Sequence, residues 1–343
     1  MRDNATGDLA WNFTEVKRVS GLQREWDAQR SRTARLDREL ELARPHMPAL
    51  SDSWLEARRA VYAARTRRLL DTCRRHQVGI RVGNVTSRPA PAPLESINPA
   101  HFVEAPALNA TICLVPKVAS TSLLSTILRV TGVGVPVFGD NTTSLHAMTL
   151  LLVRHPLRRL VSAYRDKVER ASPRPSLRVQ RAGILRRYEQ LRFGGGGGGR
   201  YRRDVVRRRG VPSFAEFLTA VLLGAQPLRD PHWEPVWRRC APCHVGYQII
   251  AQLETAADDL PFVWNALKLY PWARIPWLHR TRPAGEPPLR ELADRYLRPL
   301  ERELVAALRA EYRLDFDLFG YDWPGLMRMS GHCPPAAADC DLL

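Results

Sequence analysis

The chain has 343 residues, 45% of them hydrophobic, and a formal net charge of +17 from 52 Lys+Arg against 35 Asp+Glu. That length and apolar content exclude wholesale disorder and allow one large domain or two modest ones; no stretch approaches the roughly 18 to 20 apolar residues that span a bilayer. The basic residues are 48 Arg and only 4 Lys, and the guanidinium fork suits phosphate, sulfate and carboxylate, so the charge points to an anionic partner: nucleic acid, an acidic membrane, an acidic polysaccharide or a phosphate-bearing cosubstrate.

In chain order, residues 1–75 are charged and helix-compatible, are interrupted at Pro45 and Pro48, and read as a stem with a first helix rather than as core. Residues 88–100 are rich in Pro and Ala and read as a connector. The organised region starts near His101. Residues 111–115 form a short apolar run bounded by Pro116, as a buried strand does, and 122–130 read as a helix. Residues 148–153 (M-T-L-L-L-V) predict a second buried strand, and a helix over 157–168 opens behind Pro156. Strand, loop and helix, twice over, is the pattern of a parallel α/β sheet flanked by helices. Residues 170–210 break the pattern: six glycines, 194–199, lie amid arginines and read as a flexible surface insertion. Order resumes at Val211, where Ser213 caps a helix with Glu216 three residues on. A strand over 245–250, a helix over 258–267, one amphipathic helix over 286–312 and an aromatic segment over 312–325 complete the reading.

The six cysteines are Cys73, Cys113, Cys240, Cys243, Cys333 and Cys340. Cys240 and Cys243 form a lone C-x-x-C, without the second pair that a four-cysteine zinc site needs. They read as structural, joined to each other or to other cysteines. Cys113 sits inside a strand run and reads as a buried free thiol. Cys333 and Cys340 flank a short Pro/Ala loop and close it or pair elsewhere. N-x-Ser/Thr sequons stand at Asn4, Asn12, Asn84, Asn109 and Asn141; with an even cysteine count they favour the secretory lumen. The N-terminus has no apolar signal core, which leaves a targeting segment missing from this chain or a cytosolic protein. The sequons favour the former.

Two constellations carry the chemistry. Pro116-Lys117-Val118-Ala119-Ser120-Thr121 lies between the first strand and its helix, where unpaired helix amides make an anion site. Lys117 adds a charge, and Ser120 and Thr121 add hydroxyls. The G-x-x-x-x-G-K-[ST] spacing of nucleoside-triphosphate loops is absent. The second is Arg154-His155-Pro156-Leu157-Arg158-Arg159-Leu160-Val161-Ser162-Ala163-Tyr164. Arg154 projects from the carboxyl end of the second strand, where open α/β sheets bind ligands, and Ser162 lies two helical turns on. Two such sites imply a ligand with two separated phosphates.

From about Arg67 to Gly325 the chain resembles the Golgi carbohydrate sulfotransferases that modify chondroitin, dermatan and related N-acetylgalactosamine or glucuronic acid termini. The Arg154–Tyr164 run carries the resemblance most specifically; D-P-H-W-E-P at 230–235, G-Y-Q-I-I at 246–250 and L-E-T at 253–255 add to it. The resemblance implies a P-loop-like parallel sheet of the sulfotransferase fold, dependent on 3′-phosphoadenosine 5′-phosphosulfate (PAPS). It divides the chain into a stem and first helix (1–75), a catalytic domain (76–325) and a tail (326–343). Pro116 to Thr121 then hold the 5′-phosphosulfate, Arg154 and Ser162 the 3′-phosphate. Such proteins are type II Golgi membrane proteins, so an anchor is expected that this chain lacks. The glycine run, and Ser122-Leu123-Leu124 where relatives often carry Trp and basic residues, depart from the family.

Within that reading Lys117 stabilises the leaving oxygen and His232 is the leading general base, a role imidazole suits near neutral pH. Glu234 is an alternative, and His101 and His146 stand in reserve; His155 ranks below His232 because it neighbours the phosphate-binding Arg154. No metal-ligand cluster stands out. The acceptor expected is an acidic glycan, with O-4 of N-acetylgalactosamine in chondroitin or dermatan favoured over O-3 of glucuronic acid. The competing classes are a kinase or NTPase, which lacks its phosphate-loop glycines here, and a non-catalytic nucleic-acid or glycosaminoglycan-binding protein, which the charge alone would allow.

Overall fold

Four short strands form one sheet in the order β1 (Phe102–Ala105), β2 (Ala110–Cys113), β3 (Met148–Val153), β4 (Ile249–Gln252). β1 runs antiparallel to β2, with Phe102 opposite Cys113; β2, β3 and β4 are parallel, pairing Ile112 with Leu150 and Leu151 with Ile250. The computed structural model describes residues 50–78, 98, 101–105, 108–131, 148–170, 175–194, 199–224, 228–269 and 287–333. β2 and β3 are buried along almost their whole length, which is why both read as unbroken apolar runs and not as alternating ones. The second predicted strand has the expected bounds. The first ends at Cys113, two residues early, because Leu114 and Val115 already lead into the following turn.

The helices are α1 (Asp52–His76), α2 (Ser120–Thr131), α3 (Pro156–Tyr164), α4 (Pro175–Phe193), α5 (Gly199–Arg207), α6 (Phe214–Leu222), α7 (Val236–Cys240), α8 (Pro242–Val245), α9 (Ala256–Ala266), α10 (Leu289–Leu292), α11 (Arg302–Phe319) and α12 (Trp323–Ser330). β2–α2 and β3–α3 are the two strand–loop–helix units expected. One hydrophobic cluster surrounds the sheet; a second lies between α3, α6, α11 and α12.

Four expectations are corrected. α1 belongs to the core: Tyr62, Leu69 and Cys73 are buried in the sheet cluster. Its Arg65 donates to the carbonyl of Ile250 on edge strand β4 at 2.9 Å and to the buried carboxylate of Asp259 at 2.7 Å, where Arg58 also binds. The helix thereby covers the sheet edge. Residues 175–193 and 199–207 are helical, not a loose insertion; the glycine run obscured good helix formers on both sides of it. The amphipathic stretch after 286 is two pieces, because Pro299 cannot continue the turn that ends at Leu297. The last predicted strand moves to Ile249–Gln252, since Pro242 opens a helical turn that Gly246 closes with φ 65°.

The cysteine reading is corrected as well. Cys113 is not a free thiol: it is bonded to Cys240, and Cys73 to Cys243. The C-x-x-C cysteines therefore reach outward, one to β2 and one to α1. Cys333 is also disulfide-bonded; Cys340 lies outside the described residues. The capping box of α6 forms as predicted, Ser213 and Glu216 each accepting the other's backbone N–H. Among the described residues no helix is long and apolar enough to cross a membrane.

Candidate functional site

Two loops leave the sheet at its carboxyl edge. After β2 the chain turns through Pro116–Ala119 and enters α2 at Ser120. Lys117 and Ala119 both adopt left-handed backbone, φ 70° and 65°, which costs a non-glycine residue about 1 kcal/mol or more. Val118 between them is buried and anchors the turn. Alternating left-handed with ordinary residues turns successive N–H groups toward one point, an anion-binding concavity, and the free amides of the first turn of α2 adjoin it. Ser120 is half-buried and Thr121 exposed at this mouth.

After β3, Arg154 donates from Nη1 to the carbonyl of Lys117 at 2.9 Å. The two sequence constellations are thus parts of one site. His155 is occupied structurally. Its Nδ1 accepts the N–H of Leu157 at 3.2 Å to cap α3, and its own N–H donates to Glu254 at 2.8 Å. Burial, then the nearby charges of Arg158 and Arg154, push its imidazole down to about 3. A neutral, enclosed ring of this kind is a cap and not a base. Ser162 is half-buried on α3.

A carboxylate that the sequence reading missed faces the lysine. Lys117 Nζ lies 2.9 Å from Oδ2 of Asp166, and Lys167 Nζ lies 3.6 Å from the same oxygen. Asp166 belongs to a single π-helical turn, Arg165–Glu169, that continues α3; such turns recur at functional sites. Burial lowers the pKa of Lys117, and Asp166 offsets only part of that. Burial raises Asp166, but Lys117, Lys167 and His232 outweigh it and hold the carboxyl below its usual range. The signal was the spacing: Asp166 stands four residues beyond Ser162, on the same helical face.

His232 approaches from a separate segment. Its Nδ1 lies 2.6 Å from Oδ1 of Asp230, which also accepts the His232 N–H at 2.8 Å. Burial raises the Asp230 carboxyl, yet the hydrogen bonds and charge of His232 hold it low. An aspartate on Nδ1 fixes the ring and directs the Nε2 lone pair outward. The other oxygen of Asp230 accepts from Gln180 of α4 at 3.0 Å.

Arg159 joins the two halves. It is 1% exposed. Its Nε donates to Pro116 at 3.0 Å, Nη1 to Glu234 at 2.7 Å and Nη2 to Pro231 at 3.2 Å, all backbone carbonyls. One guanidinium therefore ties the Lys117 loop to the His232 segment. The Glu234 carboxylate is engaged by Arg239 at 3.3 Å, and His101 Nδ1 by the carbonyl of Arg239 at 2.9 Å; His146 lies outside the described residues. Among the described residues no group of three or more His, Cys, Asp or Glu is placed to hold a metal ion.

A nest that carries a lysine at the end of one parallel strand, and an arginine at the end of the next, make the arrangement that an α/β enzyme handling phosphate groups requires. The family model described as the sulfotransferase family matches residues 100–322. The chain belongs to that family, and its sheet of three parallel strands and one antiparallel edge strand, flanked by helices, is the PAPS-dependent sulfotransferase fold. Carbohydrate sulfotransferase 14 of Homo sapiens is 31% identical over 198 residues, covering 53% of this chain and 44% of that protein. Carbohydrate sulfotransferase 10 of Gallus gallus is 30% identical over 179 residues (51% and 47%). Carbohydrate sulfotransferase 11 of Danio rerio is 24% identical over 302 residues (78% of each). The chain spans about half the length of the first curated relatives it matches. No solved structure matches significantly.

Proposed function

We propose that this chain transfers a sulfuryl group from PAPS to a hydroxyl of an acidic glycan, O-4 of N-acetylgalactosamine in chondroitin or dermatan. The observation that carries the reading is that Arg154 binds the Lys117 carbonyl while Arg159 ties the same loop, through Pro116, to the Pro231 carbonyl beside the Asp230-oriented His232. The donor supplies the sulfuryl group and a phosphate that departs with negative charge.

The chain's residues do the rest. Amides of Val118 to Thr121, with the Ser120 and Thr121 hydroxyls and the Pro116 turn behind them, hold the 5′-phosphate. Arg154 and Ser162 hold the 3′-phosphate, the group that separates this donor from an ordinary nucleotide. Lys117 exchanges Asp166 for the departing oxygen and neutralises it. His232 Nε2 takes the proton of the attacking sugar hydroxyl as its oxygen bonds to sulfur and the sulfur–phosphate oxygen bond breaks. Positioning and electrostatics dominate such a transfer, as they do in phosphoryl transfer. No step assigned to these residues calls for a metal.

The Cys73–Cys243 and Cys113–Cys240 disulfides favour an oxidising compartment, and we assign the protein to the Golgi lumen, with association to the Golgi membrane through an anchor. The deciding experiment supplies labelled PAPS and a panel of chondroitin, dermatan, desulfated and glucuronyl-terminated acceptors, then maps the sulfated position. Label at O-4 of N-acetylgalactosamine supports the reading. Label at O-3 of glucuronic acid replaces the acceptor, and no label on any glycan from folded protein removes the activity.

A further inference from the structure

Positive charge is concentrated in one stretch. Residues 175–210 contain eleven arginines against two carboxylates, Glu189 and Asp204, and so hold nine of the seventeen net charges of the chain. α4 and α5 make Pro175–Phe193 and Gly199–Arg207 an ordered surface. The rings of Tyr188 and Phe193 on α4 pack on Tyr201 of α5 with centroids 5.4 and 5.3 Å apart. Arg202 reaches back to Glu189 at 2.9 Å. Arg208 forks onto Glu216 at 2.7 and 2.8 Å and so fastens the end of α5 to the capping box of α6; it also binds Asp204 at 2.9 Å.

Both carboxylates of the stretch are therefore consumed internally. Arg178, Arg186, Arg203, Arg207 and Arg209 stay exposed, and none has an acidic partner among the described residues. Such a field is uncompensated and draws polyanions. The helix that carries Arg178 and Arg186 also reaches the reacting centre: Gln180 of α4 holds the same Asp230 carboxylate that orients His232. Tyr188 and Tyr201 are half-buried in this aromatic cluster and Phe193 alone of the three is exposed, so the surface lacks the row of aromatic faces on which single-stranded nucleic acid stacks.

We propose that the exposed arginine face of α4 and α5 is the docking surface for the acidic acceptor chain, which it holds by its carboxylate and sulfate groups while one sugar enters beside His232. This rests on the glycan-acceptor reading above. The test is the combined variant Arg178→Gln, Arg186→Gln, Arg203→Gln and Arg207→Gln, in which glutamine keeps helix propensity and removes charge. Binding of adenosine 3′,5′-bisphosphate, binding of chondroitin and sulfate transfer are measured separately on parent and variant across a salt series. Expected is a roughly tenfold rise in chondroitin KM and Kd, with a shallower salt dependence, while kcat, donor KM and transfer to an uncharged oligosaccharide stay unchanged. Unchanged chondroitin affinity and salt slope overturn the proposal. So does equal loss with the uncharged acceptor, or tighter binding by the parent of DNA or of anionic phospholipid vesicles than of chondroitin. Glycan binding that the variant loses, in a parent that transfers no sulfate, upholds the surface and removes the enzymatic reading; bisphosphate binding without glycan binding does the reverse.

Discussion

The ammonium of Lys117 and the carboxylate of Asp166 stand 2.9 Å apart, one on the turn after β2 and the other on the π-turn after α3. The carboxylate offsets part of what it costs to hold a charged lysine partly buried on the turn that forms the anion nest. Lys117→Ala is expected to lower kcat by about 10²–10³-fold, the usual cost of a lost transition-state charge donor. Asp166→Asn tests the pairing. Burial lowers the pKa of Lys117 and Asp166 raises it; without that carboxylate the ammonium loses its proton at lower pH. The alkaline limb of the kcat/KM profile should therefore move to lower pH in Asp166→Asn, and an unmoved limb would show that Lys117 does not titrate in the reaction.

Asp230 holds His232 by Nδ1, which makes the two a unit. His232→Ala should cost about 10²–10⁴-fold in kcat, the range for a general base. Asp230→Asn should approach that loss, since an amide no longer fixes the tautomer. Neither change should alter binding of adenosine 3′,5′-bisphosphate by calorimetry. Additive losses in the double variant would separate the residues; a double loss no larger than that of His232→Ala supports the unit.

Arg159 satisfies three carbonyls from two distant segments while fully enclosed. Arg159→Met keeps bulk but strands those acceptors, and a loss of about 3 kcal/mol in urea unfolding is expected. Arg159→Lys should not restore it, because a point ammonium cannot reproduce the planar fork.

Much of this arrangement was visible in the sequence because it depends on local pattern. The apolar run of β3 and the placing of Lys117 and Arg154 just beyond strand ends follow from short-range rules. What stayed hidden depends on tertiary approach. Asp166, Asp230 and Gln180 are ordinary polar residues until the fold brings Lys117 and His232 to them. Arg159 looked like one more basic residue in an Arg-rich run, although it is the buried one. Cys240 and Cys243 are three residues apart but sit on successive short helices facing different elements, so spacing could not choose their partners. The six glycines dominated the reading of 170–210, while the aromatic contacts that order α4 and α5 lie on either side of them.

The bond between Cys73 and Cys243 closes a sequence separation of 170 residues. By loop-closure entropy it should stabilise the fold by about 3–5 kcal/mol. Cys73→Ser with Cys243→Ser should lower the urea midpoint accordingly and loosen α1 from β4. Hydrogen exchange over Asp52–His76 reads the second effect, and unchanged protection there would mean that the Arg58 and Arg65 bonds to Asp259 suffice to hold the helix.

His155 ties stability to acid. Burial first, and the charges of Arg158 and Arg154 after it, bring its folded pKa down to about 3, against about 6.5 in an unfolded chain. The unfolded state then binds the extra proton between those values. The stability this group contributes is present above about pH 6.5 and falls as pH drops toward 3, by about 1.4 kcal/mol per pH unit. Asp315 acts oppositely in part of that window: burial raises its carboxyl to about 6, so its contribution is present at low pH and lost as pH rises from about 4 to 6. Parent and variant must therefore be compared. His155→Asn keeps a side-chain acceptor for the α3 cap and removes the imidazole, so its stability should fall less steeply between pH 6 and 4 than that of the parent. Equal slopes in urea unfolding across that range would show that the ring is not held neutral by the fold.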